Sequence, residues 1–129
     1  MLANLVEARG GVAVRHDGLT DDVAQIGRVI REGVATCDVV LVIGGSSAGA
    51  RDFTRSAILE AGGEVLMHGV TVMPGKPTLL AAMGDRPVVG IPGYPVSAIV
   101  AFEEFVGPAL DAFLGVRTEG RRTVPAVLT

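Results

Sequence analysis

The chain has no tryptophan, one cysteine and one lysine among its 129 residues, and aromatic side chains make up 4% of it. Each scarcity excludes something. A lone Cys37 rules out a disulfide framework within the chain, which fits a reducing cytoplasm. Charged residues are 19% of the total and the formal net charge is −3, which argues against non-specific binding to nucleic acid or to an anionic membrane. No stretch approaches the roughly 18 uninterrupted apolar residues of a membrane-spanning helix, and the start lacks a signal-peptide pattern. With 49% hydrophobic residues and so few rings, the core must be aliphatic, and the length suits one domain. Ten arginines stand against the single Lys76, which draws attention to where that lysine sits.

What is present is organised around Asp38-Val39-Val40-Leu41-Val42-Ile43-Gly44-Gly45-Ser46-Ser47-Ala48-Gly49-Ala50-Arg51-Asp52. A continuous Val/Leu/Ile run suits a strand buried on both faces of a parallel sheet. Gly44, Gly45 and Gly49 permit a tight turn and let backbone amides approach a ligand, and Ser46 and Ser47 add hydroxyl donors. Such a loop at the carboxyl end of a strand is the usual ligand site of open α/β sheets. Pro92-Gly93-Tyr94-Pro95-Val96-Ser97 repeats the pattern after a second apolar run, so the two loops suggest one crevice between them.

In chain order, Leu2, Leu5 and Val6 share one side of a short helix that stops at Gly10-Gly11. Residues 12–16 read as a strand. Thr20 can cap the next helix, with Asp21 and Asp22 in its first turn and Val23, Ile26, Ile30 and Val34 on its apolar face. Phe53, Ala57, Ile58 and Ala61 mark a helix ended by Gly62-Gly63. Residues 64–67 read as a strand, with 69–73 its continuation or neighbour. Pro74-Gly75-Lys76-Pro77 breaks regular structure, after which 78–83 and 87–91 read as strands. A last helix carries Val96, Ile99, Val100, Val106 and Leu110 on its apolar face, and residues 116–129 read as a linker into a following domain. The alternation predicts an α/β domain with a mostly parallel sheet covered on both sides.

Gly45-Ser46-Ser47-Ala48-Gly49 also matches the G-x-S-x-G nucleophile elbow. That pattern needs an acid and then a histidine, for which this chain offers Asp52 and His68, and a larger sheet than 129 residues provide. The serines therefore read as donors. Asp52, at the rim of the loop, can cap a helix or meet a ligand or Mg²⁺, which takes carboxylate and substrate oxygens. Lys76, held between prolines, can hold an oxyanion. His68, after an apolar strand, reads as packed or half-buried and without metal-ligating partners; His16 and Cys37 read as structural.

Four segments occur in order: residues 44–52, His68-Gly69-Val70, Pro74-Gly75-Lys76-Pro77 and Pro92-Gly93-Tyr94-Pro95-Val96-Ser97-Ala98. Through them the chain resembles the molybdopterin-binding domain of the molybdopterin molybdotransferases, the MoeA and gephyrin E-domain family, over residues 1–115. Tyr94 and the Ser-Ser-Ala-Gly form resemble a subgroup that carries a periplasmic-binding-protein-like domain. The resemblance implies a three-layer α/β/α domain of a dimeric, multi-domain transferase of molybdenum cofactor biosynthesis. Such enzymes use adenylylated molybdopterin and molybdate with Mg²⁺. By motif, Asp52 matches the family's loop aspartate and Asp21 an acid before the second helix, both Mg²⁺ positions. Lys76 matches the lysine of the Pro-Gly-Lys-Pro loop. Gly44, Gly45, Ser46, Ser47, Gly49, Pro92, Gly93, Tyr94, Pro95 and Ser97 match the loops that hold the pterin and its phosphate. Two positions depart from the family: Met73 replaces a basic residue and Gly69 a lysine found in some members. The family's domain also starts with a strand and an acidic loop ahead of the first helix, where this chain opens, so the first strand is expected to be missing and the chain to be a fragment, a late-called start or part of a split protein. A single-domain molybdopterin adenylyltransferase and a non-catalytic binding or scaffold module are the rival expectations.

Overall fold

Neighbouring residues of one strand feed two separate cores. Strand alternation sends Val88 to one face of the sheet and Val89 and Ile91 to the other, and all three are buried. The computed structural model describes residues 1–44, 52–117 and 125. Within them lie strands β1 (Val40–Ile43), β2 (Glu64–His68), β3 (Leu79–Met83) and β4 (Arg86–Ile91), arranged in space as β1-β4-β3-β2. On one face, α2 (Val23–Thr36) and α3 (Phe53–Glu60) bury Ile26, Ile30, Ala57 and Ile58 against Leu79, Ala81 and Val88. Gly27 makes their close crossing possible, since a Cβ there would stand 3.1 Å from the Ala57 carbonyl oxygen. On the other face lie α1 (Leu2–Ala8), α4 (Pro95–Ala101), a π-turn (Phe102–Val106) and α5 (Gly107–Phe113). They pack Leu2, Ala98, Ala101, Phe102 and Val106 on Val89 and Ile91. This is the expected α/β class in three layers.

The sheet itself is mixed. β1 and β4 are parallel, Val40 opposite Val88 through Ile43 opposite Ile91. β3 is antiparallel to both β2 and β4. The expected predominance of parallel pairing is thus confined to the half that carries the glycine turns. The reason is local: the 74–77 segment and Gly84 (φ +61°) turn the chain straight back, and a hairpin returns antiparallel where a long crossover would return parallel.

Residues 12–16, expected as a strand, form none. They lie across a groove of about 670 Å³ from β1, whose outer side is an edge of the described sheet. Val12 and Val14 are 89% and 76% exposed. A strand is stable only where its amides find a ladder, and none is within reach here. Residues 69–73 are a loop as well, closed by hydrogen bonds from Gly69 N to Thr78 O (3.0 Å) and from Val70 N to Lys76 O (2.8 Å).

Helix α2 is capped by Asp22 rather than by Thr20. The Asp22 carboxylate accepts from Ala24 N and Gln25 N (2.9 and 3.1 Å), while Thr20 Oγ1 donates to Gln25 Oε1 (2.7 Å). The carboxylate satisfies two orphan amides at once, which a hydroxyl of Thr20, two residues further out, does not reach. In the last helical stretch Val96 and Ile99 are exposed, and Ala98, Ala101 and Phe102 carry the burial instead. The π-turn, in which Gly107 N donates to Phe102 O, shifts the helical register midway. It sits directly before Pro108, whose missing amide and ring would otherwise break an α-helix at the carbonyl four residues earlier.

Arg9 fastens α1 to that stretch. Its guanidinium meets Glu103 at 2.6 Å and the buried Asp111 at 3.0 Å, and stands 5.9 Å from the centre of the Phe102 ring. Burial works against its charge, but the hydrogen bonds to Glu103 and Asp111 outweigh it and raise its pKa. Arg9→Met is expected to cost about 2 kcal/mol, because Asp111 would be left without its partner while solvent still screens the site. Urea unfolding would read this, and Asp111→Asn in the Arg9→Met background should restore part of the loss.

Candidate functional site

The parallel pair β1 and β4 ends in two glycine turns, and the turns meet. Gly44 leaves β1 at φ +82°, a conformation that glycine alone takes at little cost, and its N–H donates to Ile91 O at 3.0 Å. A Cβ on Gly93 would come within 3.9 Å of Gly44 Cα. Thr54, buried in the first turn of α3, donates Oγ1 to Gly44 O at 3.1 Å and ties that helix to the turn. The two turns thus lie side by side at the carboxyl ends of neighbouring parallel strands, the position at which open α/β sheets carry ligands.

Asp52 is the N-cap of α3. Its Oδ1 accepts from Arg55 N at 2.9 Å, which fixes the carboxylate. The side chain is 12% exposed, and Oδ2 is fully buried with no hydrogen-bond partner among the described residues. His68 Nε2 lies 2.9 Å from that same oxygen. The separation is that of an ion pair, but the two groups are not aligned for a hydrogen bond, which depends on angle as much as distance. His68, expected to be packed or half-buried and without metal-ligating partners, has a side chain 24% exposed with this one carboxylate beside it. β2, antiparallel to β3 and so running with β1 and β4, delivers its last residue to the same rim. A polar residue closing an apolar strand was the signal available in the sequence.

The remaining candidates divide into two groups. Gly75 is buried at φ +125°, and a Cβ on it would lie 3.7 Å from Ser97 O, so the Pro-Gly-Lys-Pro loop rests on the start of α4. Thr78 holds that loop through its hydroxyl, which donates to Gly75 O at 2.7 Å. Lys76 is exposed there, and its ammonium has no partner among the described residues. Pro92 is buried, Ser97 is half-buried, and Gly93, Tyr94 and Pro95 are exposed. Asp21 is exposed ahead of α2, and no described contact joins it to Asp52. Gly45, Ser46, Ser47 and Gly49 lie outside the described residues. Gly69, at φ +87°, is a position where a lysine would be strained, and Met73 is exposed.

Backbone amides of two touching turns can cradle an anion, and a carboxylate beside them can hold a cation between itself and that anion. No group of three or more His, Cys, Asp or Glu side chains able to hold a metal by themselves occurs among the described residues. No helix among them is long and apolar enough to cross a membrane.

Comparison with known proteins matches residues 1–112 to the family described as "Probable molybdopterin binding domain". A molybdopterin molybdenumtransferase 2 of Mycobacterium tuberculosis is 36% identical over 137 aligned positions, covering 100% of this chain and 33% of that protein. A molybdopterin molybdenumtransferase of a Nostoc species is 30% identical over 118 positions, covering 89% of this chain and 27% of that protein. The crystal structure of a molybdopterin biosynthesis moea protein from Pyrococcus horikosii superposes with a TM-score of 0.77 at 36% identity, over 88% of this chain and 28% of that one. The chain thus spans about a quarter to a third of the length of these relatives. With 112 of its residues matched by the family model and its two glycine turns meeting at the carboxyl ends of β1 and β4, the chain belongs to the molybdopterin-binding domain family.

Proposed function

We propose that this domain binds molybdopterin, or its adenylylated form, in the crevice between the Gly44 and Gly93 turns. It does so as part of a molybdopterin molybdotransferase that inserts molybdate during molybdenum cofactor biosynthesis, as a homodimer in a longer protein. The observation that carries this reading is the contact of the two turns beside a buried carboxylate oxygen without a hydrogen-bond partner. Backbone amides of the turns, other than that of Gly44, which is donated to Ile91 O, hold the phosphate, and Ser97 and the exposed Tyr94 border the pterin. Asp52 Oδ2 fits Mg²⁺, because an anionic oxygen kept from water and without a donor is stabilised by a cation. Bound there, Mg²⁺ would neutralise phosphate charge as it leaves. Lys76 supplies a mobile positive charge from the opposite loop for the oxyanion or for molybdate, the role that Met73 and Gly69 do not serve. Asp21 joins the site only if a ligand draws it toward Asp52.

Calorimetric titration of the folded chain with molybdopterin and Mg²⁺ tests the reading. Saturable binding that depends on Mg²⁺ is expected. A cooperative thermal melt with no saturable binding would overturn it.

A further inference from the structure

The geometry points to a two-donor divalent-cation site formed by Asp52 Oδ2 and His68 Nε2, one that takes Mn²⁺ or Co²⁺ ahead of Mg²⁺. It rests on the placement of a cation at Asp52 proposed above and adds to it a nitrogen donor and a metal preference.

An octahedral cation with ligands at about 2.0–2.1 Å places adjacent donors about 2.9 Å apart. Oδ2 and Nε2 are 2.9 Å apart without being aligned as a hydrogen-bonded pair. Two donors at that separation that do not bond each other are arranged to share something between their lone pairs. Both are anchored from behind. Oδ1 is held by Arg55 N, so the carboxylate cannot turn Oδ2 away without uncapping α3. His68 is the last residue of β2 and is paired opposite Leu79, which is fully buried. An imidazole nitrogen suits first-row transition ions, whereas Mg²⁺ favours oxygen throughout. With no third His, Cys, Asp or Glu donor completing a cluster among the described residues, the remaining positions fall to water and to oxygens of the bound anion.

The test uses the whole chain and metal alone. With substoichiometric Mn²⁺, the ring protons of His68 are expected to broaden in the NMR spectrum while those of His16 do not, His16→Gln serving to assign the two. Mn²⁺ and Co²⁺ should bind about tenfold more tightly than Mg²⁺. His68→Gln retains a polar side chain that can donate to Asp52 but lacks the imidazole donor. It should weaken Mn²⁺ binding about tenfold or more and leave Mg²⁺ within about twofold. Asp52→Asn should weaken both. Unbroadened His68 signals, or Mn²⁺ affinity indifferent to His68→Gln, would overturn the two-donor site. If Asp52→Asn alone removes cation binding, the Asp52 cation stands and the His68 donor falls. If neither substitution matters, both fall.

Discussion

Phe102→Ala is expected to lower the unfolding free energy by about 3–5 kcal/mol. Phe102 is fully buried and joins Leu2 of α1, Val89 and Ile91 of β4, and Ala98, Ala101 and Val106 of its own helical stretch. Its neighbours are mostly small or already anchored in the sheet, so the space it leaves cannot collapse. It is also the residue whose carbonyl closes the π-turn, so relaxation there would disturb the register that accommodates Pro108. A domain of this size has about 5–15 kcal/mol in total, and the loss would take about a fifth of it or more. Urea denaturation should show a lower midpoint with an unchanged slope. A loss below about 1 kcal/mol would mean that this layer is loosely packed and that the second core carries the fold.

The sequence exposed the parts of this fold that depend on local chemistry. Apolar runs placed β1 and β4, glycine and proline placed the turns after them, and periodic Ile and Ala placed α2 and α3. It did not expose what depends on partners distant in sequence. Residues 12–16 have strand-forming composition, yet a strand exists only with a ladder, and β1 lies across a groove. The direction of β3 was hidden because Pro74-Gly75-Lys76-Pro77 shows that the chain turns, not how far it travels before pairing. Val96 and Ile99 look buried under a uniform helical period, and the π-turn before Pro108 breaks that period.

The site divides in the same way. The two glycine turns were legible because a tight turn restricts residue type. The departure at Gly69 also has a backbone reason in the structure, since β2 leaves its last residue through φ +87°. The partnership of Asp52 with His68 was not legible. It spans a helix and a strand, and it depends on β2 running in the same direction as β1 and β4 although its own pairing is antiparallel. Asp21 shows the converse: its motif position was clear, but no contact among the described residues holds it at the site.

Asp52 offers the sharpest separation of structure from function, because its two oxygens do different things. Oδ1 caps α3 through Arg55 N, while Oδ2 is buried without a hydrogen bond. Asparagine retains an oxygen for the cap, and Asn and Asp are about equal as N-caps. Asp52→Asn should therefore leave stability within about 0.5 kcal/mol, whereas Asp52→Ala should cost about 1 kcal/mol through the lost cap. Both remove the anionic oxygen. On the proposed function, both should reduce Mg²⁺-dependent turnover by about 100-fold or more in a protein carrying this domain, and both should remove the Mg²⁺ dependence of molybdopterin binding by this chain. The pair of variants matters more than either alone. If turnover follows stability, falling for alanine and holding for asparagine, Asp52 serves the helix and the cation must be held elsewhere. If turnover collapses for both while only alanine lowers the melting temperature, the oxygen that no protein group bonds is the one that the reaction uses.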